Sequence, residues 1–477
     1  MEPFLFDTGQ PAPQRSAFQM LRGRLRDEFF LRKLDTPLGY SLLALAALLP
    51  AYLIGLRGER SGWFALTALT LTPVLLISLF NLRYGLYLLW ACACALPSLR
   101  LLSYRIPTEA FIHGSIFLLL FGLFLRQVQR RDWSFLNHSL SLIPLAWMLY
   151  LLLELFNPWA ISQRAWLYAV GDAGVVYLAF FPAMYVLQGF PQIRRSLYVW
   201  IAVLALTGFV GLLDTGGDSS NLLDWVDWER DLRSGQVLWA GAALAAAVIG
   251  LGPVHRPRDR YLAGGLLAVL AAVLLSEGAR LPLALMGGGL ALLAMLRLRL
   301  RWLGAGVAVA ALALWLAHVM NAPFSPSRLL SSLDPFSSPN FVEVQQNEAY
   351  IQPFIQRNPI GGGLGSTGKW GEQFASGSYL SQFKPGSGYV RLAAETGWVG
   401  LLLYVLWITS VMAAGIRAYF RAPSPEQRTW AAALLCFFFV MVLGNYATPV
   451  LLSLPGNLLF ALLGAALARL GGALAAD

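Results

Sequence analysis

The residues best suited to chemistry are arginines stranded between apolar runs. Ser276-Glu277-Gly278-Ala279-Arg280 is a polar insertion of about five residues between two such runs, where a charge is costly and is usually paired or functional. A guanidinium stays charged and can grip a phosphate by two parallel hydrogen bonds, so Arg280 is a candidate anion ligand. Arg230 and Arg233 lie in a second polar stretch, Asp214 to Gln236, among Asp214, Asp218, Asp224, Asp227, Glu229 and Asp231. With Arg280 they would make a basic, phosphate-binding cluster. The plainer alternatives are that Arg280 snorkels or pairs with Glu277, and that Arg230 and Arg233 neutralise the acidic residues around them.

A different chemistry is offered by Asn358-Pro359-Ile360-Gly361-Gly362-Gly363-Leu364-Gly365-Ser366-Thr367-Gly368. Its glycines permit backbone conformations and close approaches that side chains forbid, which suits a tight turn lining a site. It lacks the Gly-Lys-Ser/Thr ending of a nucleotide-binding loop and follows no predicted strand. Gly363 and Gly365 are therefore candidate substrate-contacting positions, as is Arg357 at the end of a helix predicted over Glu343 to Arg357, with Tyr350 and Phe354 on one face. No metal centre is expected, since His113, His138, His255 and His318 are dispersed. The acidic residues around Asp224 are more simply partners of Arg230 and Arg233. No cofactor motif and no hydrolase signature is present.

The elements that must hold these residues are membrane-spanning helices. The chain has 477 residues, 57% of them hydrophobic and 13% charged, too apolar for one soluble core with a solvated surface. The apolar runs are continuous, which favours helices over a barrel. At roughly 20 residues per span, about fourteen spans are predicted, among them ones near Leu38 to Leu56, Trp63 to Phe80, Ala110 to Leu125, Tyr168 to Leu187, Leu197 to Leu213, Trp302 to Val319, Leu392 to Ala413, Thr429 to Leu443 and Leu451 to Leu467. Residues 1–37 are then a basic segment, 38–319 hold spans one to eleven with the polar loop 214–236, 320–391 form one large loop, and 392–477 hold the last three spans. An even count puts both termini on one side. The larger share of the 35 Lys and Arg residues falls on that side, including Arg126, Arg130 and Arg131, so the positive-inside rule makes it cytoplasmic. The net charge of +10 thus reads as membrane orientation, not as nucleic-acid binding. Phe18, Leu21, Leu25 and Phe29 suggest an interfacial helix on the anionic inner leaflet.

Four segments resemble the O-antigen polymerase and ligase superfamily of bacterial polysaccharide assembly. Glu154-Leu155-Phe156-Asn157-Pro158 resembles the motif closing an early span, and Arg233-Ser234-Gly235 the Arg-x-Gly opening a later one. Ser276 to Arg280 sits where the family has a Ser-Arg pair. Asn358 to Gly368, followed by Ser387-Gly388-Tyr389-Val390-Arg391-Leu392-Ala393-Ala394-Glu395-Thr396-Gly397-Trp398-Val399-Gly400, resembles the periplasmic loop and its exit into the next helix. The resemblance runs from Leu151 to the C-terminus.

What the resemblance implies is an all-α glycosyltransferase of the GT-C type in the bacterial inner membrane, acting on undecaprenyl-diphosphate-linked oligosaccharide at the periplasmic face. Arg280 and Arg233 would face the lipid diphosphate, with Arg230 as a close substitute. Glu395 and Tyr389 would lie near the acceptor, and Glu277 or Glu395 would be the base. Ser387 and Tyr389 join the substrate-binding candidates. Ligases of this family resemble one another in a His-Asn or His-Ser pair where this chain has Gly386-Ser387, which favours a polymerase. A chain-length regulator and a flippase would be its partners, without a cofactor. The rivals are a ligase acting on a lipid or protein acceptor and, in another class, a secondary transporter or lipid-linked sugar flippase.

Overall fold

The computed structural model describes residues 81–103, 108–131, 133–136, 139–214, 228–253, 257–276, 280–297, 339–383 and 386–473, together with Leu48 and Tyr52. Met1–Pro73 form a separate compact unit, in which Leu48 and Tyr52 are helical and exposed. All else belongs to Val74–Asp477. The described residues form no strand. Their helices are α1 (Leu82–Ser103), α2 (Thr108–Arg130), α3 (Leu142–Leu153), α4 (Gln163–Ala173), α5 (Phe180–Val186), α6 (Phe190–Asp214) and α7 (Trp228–Leu251). There follow α8 (Pro257–Ser276), α9 (Arg280–Arg297), α10 (Pro339–Arg357), α11 (Gly368–Phe374), α12 (Gly388–Arg421), α13 (Pro425–Ala447) and α14 (Gly456–Ala473).

Among the described residues five stretches are long and apolar enough to cross a bilayer: Phe111–Val128, Gln163–Val186, Phe190–Val210, Gly388–Arg421 and Pro425–Ala447. Shorter apolar helices occupy Leu82–Ala95, Leu142–Phe156, Gly235–Leu251, Leu281–Arg297 and Gly456–Gly471. The chain is a helical membrane protein. Phe117, Phe121 and Phe124 on α2, and Leu402 and Leu406 on α12, point large apolar side chains outward, as lipid-facing surfaces do. The spans predicted over 38–56, 63–80 and 302–319 lie outside the described residues, apart from Leu48 and Tyr52.

Small residues set the helix packing. A methyl at Gly241 would lie 2.4 Å from Phe437, and one at Gly444 would lie 2.3 Å from Val237, so α7 runs antiparallel to α13 in close contact. Gly288 meets Leu443 and Gly289 meets Val440 in the same way, which makes α9 antiparallel to α13 as well. The first turns of α7 and α9 therefore sit at the Ala447 end of α13. Behind them an aromatic core joins Tyr177, Tyr404, Trp407 and Phe460, with ring centroids 5.0–6.3 Å apart. The Tyr177 hydroxyl bonds the Tyr404 hydroxyl at 2.8 Å and the Leu451 carbonyl.

Polar groups gather at the two ends of α13. At its start Glu426 accepts from Arg194 at 3.4 Å, and Arg194 also reaches Asp259 at 3.6 Å, tying α6, α8 and α13 together. At its far end Asn445 packs against Gly388, the first residue of α12. Nineteen residues of helix separate the two, a span of about 28 Å at 1.5 Å per residue.

Candidate functional site

The site at the Ala447 end is assembled from three segments far apart in sequence. Asn157 closes a turn after α3, its side-chain oxygen accepting from the Trp159 amide at 2.9 Å. Its amide nitrogen donates to Glu154 at 2.9 Å, to the Ile360 carbonyl at 3.1 Å and to the Gly361 carbonyl at 3.4 Å. The glycine-rich loop is then fastened by its main chain: Ile161 donates to Gly362 at 3.0 Å, Gly362 to Ala394 at 2.9 Å and Trp398 to Pro359 at 2.8 Å. These last two bonds reach the kink in α12, where Gly397 adopts φ +67° and ψ −169°, a conformation open essentially to glycine alone.

Glu395 locks the loop from inside. It is 3% exposed and accepts from the Gly365 amide at 3.1 Å, from the Thr367 hydroxyl, and from Arg391 Nε at 3.0 Å. Both of its oxygens are engaged, an arrangement that fits an anchor for the loop and for Arg391. Gly363 and Gly365, which the sequence offers to a substrate, are buried against the protein itself. A methyl at Gly363 would lie 2.8 Å from Ala160, and one at Gly365 would lie 2.7 Å from Ala169. Their missing side chains let the loop settle onto the turn after α3 and onto α4.

The helix that follows the large loop begins earlier than the sequence suggests. α12 starts at Gly388, so Ser387 is its N-cap, and Tyr389 and Arg391 lie on the helix instead of in the large loop. Tyr389 donates its hydroxyl to the Val442 carbonyl at 2.8 Å, binding α12 to α13. Ser387, Arg391 and Glu395 recur every four residues and share one face. Arg391 thus joins the site, although nothing singled it out in the sequence. Its i,i+4 relation to Glu395 was the available signal, hidden by placing the helix start at Leu392.

Arg357 is exposed at the end of α10, directly before the glycine-rich loop. Arg230 and Arg233 fall in the first turns of α7, and Arg280 opens α9, so their backbones stand at the same end of α13 as Ser387 and Asn445. Glu277 and the acidic residues Asp218, Asp224 and Asp227 lie outside the described residues. Among the described residues no three His, Cys, Asp or Glu side chains group as metal ligands.

Aromatic platforms flank the loop. Tyr350 and Tyr379 stack with centroids 4.3 Å apart, both exposed. Tyr168, Trp370 and Phe374 form a second stack, with Lys369 Nζ 4.5 Å from the Trp370 centroid. Near the first platform in sequence, Glu348 has a buried oxygen without a hydrogen-bond partner, and burial pushes its carboxyl pKa up. Deeper in the bundle His113 Nε2 lies 3.2 Å from Asp172, with the His113 ring packed on Gly171.

No protein-family model matches the chain, and no curated protein matches it significantly.

Proposed function

We propose that the protein is a polysaccharide polymerase of the GT-C type. It would transfer a growing glycan from undecaprenyl diphosphate onto a lipid-linked repeat unit at the outer face of a bacterial inner membrane, with both termini cytoplasmic. The observation that carries this reading is the meeting of Glu154 to Pro158 with both parts of the loop segment, Asn358 to Gly368 and Ser387 to Gly400, which are two of the four segments on which the resemblance rests. Asn157 spans 203 residues to reach Ile360, and Gly365 spans 30 to reach Glu395. The other two segments, with Arg233 and with Arg280, start helices at the same end.

In this mechanism the acceptor hydroxyl attacks the anomeric carbon of the donor, the glycosidic bond to the diphosphate breaks, and the lipid diphosphate leaves. Arg280, Arg233 and Arg230 stabilise the charge gathering on that leaving group. A carboxylate takes the acceptor's proton. Glu277 fits that role by the resemblance, whereas the three donors on Glu395 suit it to positioning Arg391. The stacked aromatics offer faces to sugar rings.

The test uses full-length protein in lipid nanodiscs with undecaprenyl-diphosphate-linked repeats. Polymer should form in wild type, and Arg280→Ala should lose on the order of 100-fold in rate, as for a lost charge-assisted bond to a leaving group, with Arg280→Lys recovering part. Wild-type chain length from well-expressed Arg280→Ala would remove that arginine from the mechanism. No polymer from wild type, with repeats instead appearing on the opposite leaflet, would favour a flippase. The observation on that side is the His113 and Asp172 pair, since ionisable groups within apolar helices often line transport paths.

A further inference from the structure

The N-terminal turn of α12 has polar groups without partners that the mechanism above does not use. Ser387 is the N-cap, yet its hydroxyl makes no capping bond, is fully buried and bonds nothing. Among the described residues no acceptor takes the amides of Gly388, Tyr389 or Val390, the free donors of a helix's first turn. Asn445 is 1% exposed and lies against Gly388. Its oxygen accepts from Leu451 at 3.1 Å, while Nδ2, beside the Tyr389 phenol, has no acceptor in hydrogen-bond geometry. One turn on, Arg391 is held by Nε alone, so both its Nη groups are left without a bond to any described residue. Two of these donors, the Ser387 hydroxyl and Asn445 Nδ2, are buried, where leaving a donor unsatisfied is costly.

We propose that this turn is a phosphate-binding site, in which the first-turn amides, the Ser387 hydroxyl and Arg391 Nη receive the oxygens of one phosphate group. The helix dipole favours an anion there, the first turn contains no acidic residue, and Arg391 adds a planar fork already fixed in place. Among the described residues Glu395 is the one carboxylate paired with Arg391, and its charge is shared among Gly365, Thr367 and Arg391. The reading above enters only in naming the source: with Arg280 and Arg233 on the donor's diphosphate, this turn would hold a phosphate of the second lipid-linked substrate. A polymerase must hold two such lipids at once.

The probe is inorganic pyrophosphate, titrated calorimetrically into full-length protein in phosphatidylcholine nanodiscs. Saturable binding is expected, weakened at least about 10-fold in Arg391→Gln and several-fold in Ser387→Ala, and unchanged in Arg421→Gln at the other end of α12. Ser387→Ala guards against misfolding, because deleting an unsatisfied buried hydroxyl should leave the melting temperature equal or higher. Competition from phosphatidylglycerol nanodiscs would assign the site to a membrane headgroup, and its absence to a lipid-linked diphosphate. No saturation by about 10 mM, or equal binding by Ser387→Ala, Arg391→Gln and wild type, overturns the proposal, even where polymer is made. Binding lost in both variants of a protein that makes no polymer would keep the site and sink the polymerase reading.

Discussion

Gly368 and Gly397 share nearly the same φ, +66° and +67°, but differ in what surrounds them. Space is open around Gly368, whereas a methyl at Gly397 would lie 2.0 Å from the Pro359 carbonyl oxygen. Gly368→Ala should therefore cost only the left-handed penalty, about 1–2 kcal/mol. Gly397→Ala adds a main-chain collision and should cost about 4 kcal/mol or more. Thermal unfolding in detergent would separate the two, and equal losses would mean that the kink does not depend on the loop. The motif glycines were legible as a tight turn because glycine alone tolerates such backbones. Their partners were not, since Ala160, Ala169 and Pro359 carry no pattern that marks a contact.

At the scale of elements, apolar length revealed the spanning helices, because a bilayer imposes that length on every span. Expected spans over Ala110 to Leu125, Tyr168 to Leu187, Leu197 to Leu213, Leu392 to Ala413 and Thr429 to Leu443 each overlap a long apolar helix. Helix starts were less legible, because caps are local: hydropathy puts the large loop's exit at Leu392, while Ser387 caps a helix that starts at Gly388. The ion triad also escaped notice, since Arg194, Asp259 and Glu426 come from three separate turns. It yields a prediction. Arg194→Ala would leave Asp259, 7% exposed, without its counter-charge and should lower stability by about 1–3 kcal/mol. Pyrophosphate binding at the opposite end should be unaffected, and loss of both would mean that the two ends are coupled.

For the molecule as a whole, the two polar ends of α13 fall about 28 Å apart, close to the thickness of a hydrocarbon core. The turns holding Arg194, Asp259 and Glu426 are ones the charge pattern assigns to the cytoplasm, and Asn157, Gly362 and Asn445 come from segments assigned outside. Ser376→Cys and Arg195→Cys, both at exposed positions, should then react with an impermeant thiol reagent from opposite faces, Ser376→Cys in intact spheroplasts and Arg195→Cys only after permeabilisation. Background should be low, since Cys94 and Cys436 are buried and Cys92 is half-buried. The reverse pattern would invert the orientation, and labelling of both from one face would break the two-ended arrangement.

The bond from Asn157 to Ile360 also sets a clock for biogenesis. At about 5–20 residues per second, the ribosome needs roughly 10–40 seconds to deliver Ile360 after Asn157 has been made. For that interval the Asn157 amide lacks the carbonyls of Ile360 and Gly361, and the Ile161 amide lacks that of Gly362. A polypeptide released before residue 358 never acquires these acceptors. Its donors at this turn stay open to water instead of being closed by the loop, so truncated products expose a turn that the finished protein covers, a difference by which proteases that clear unassembled membrane proteins can tell them apart.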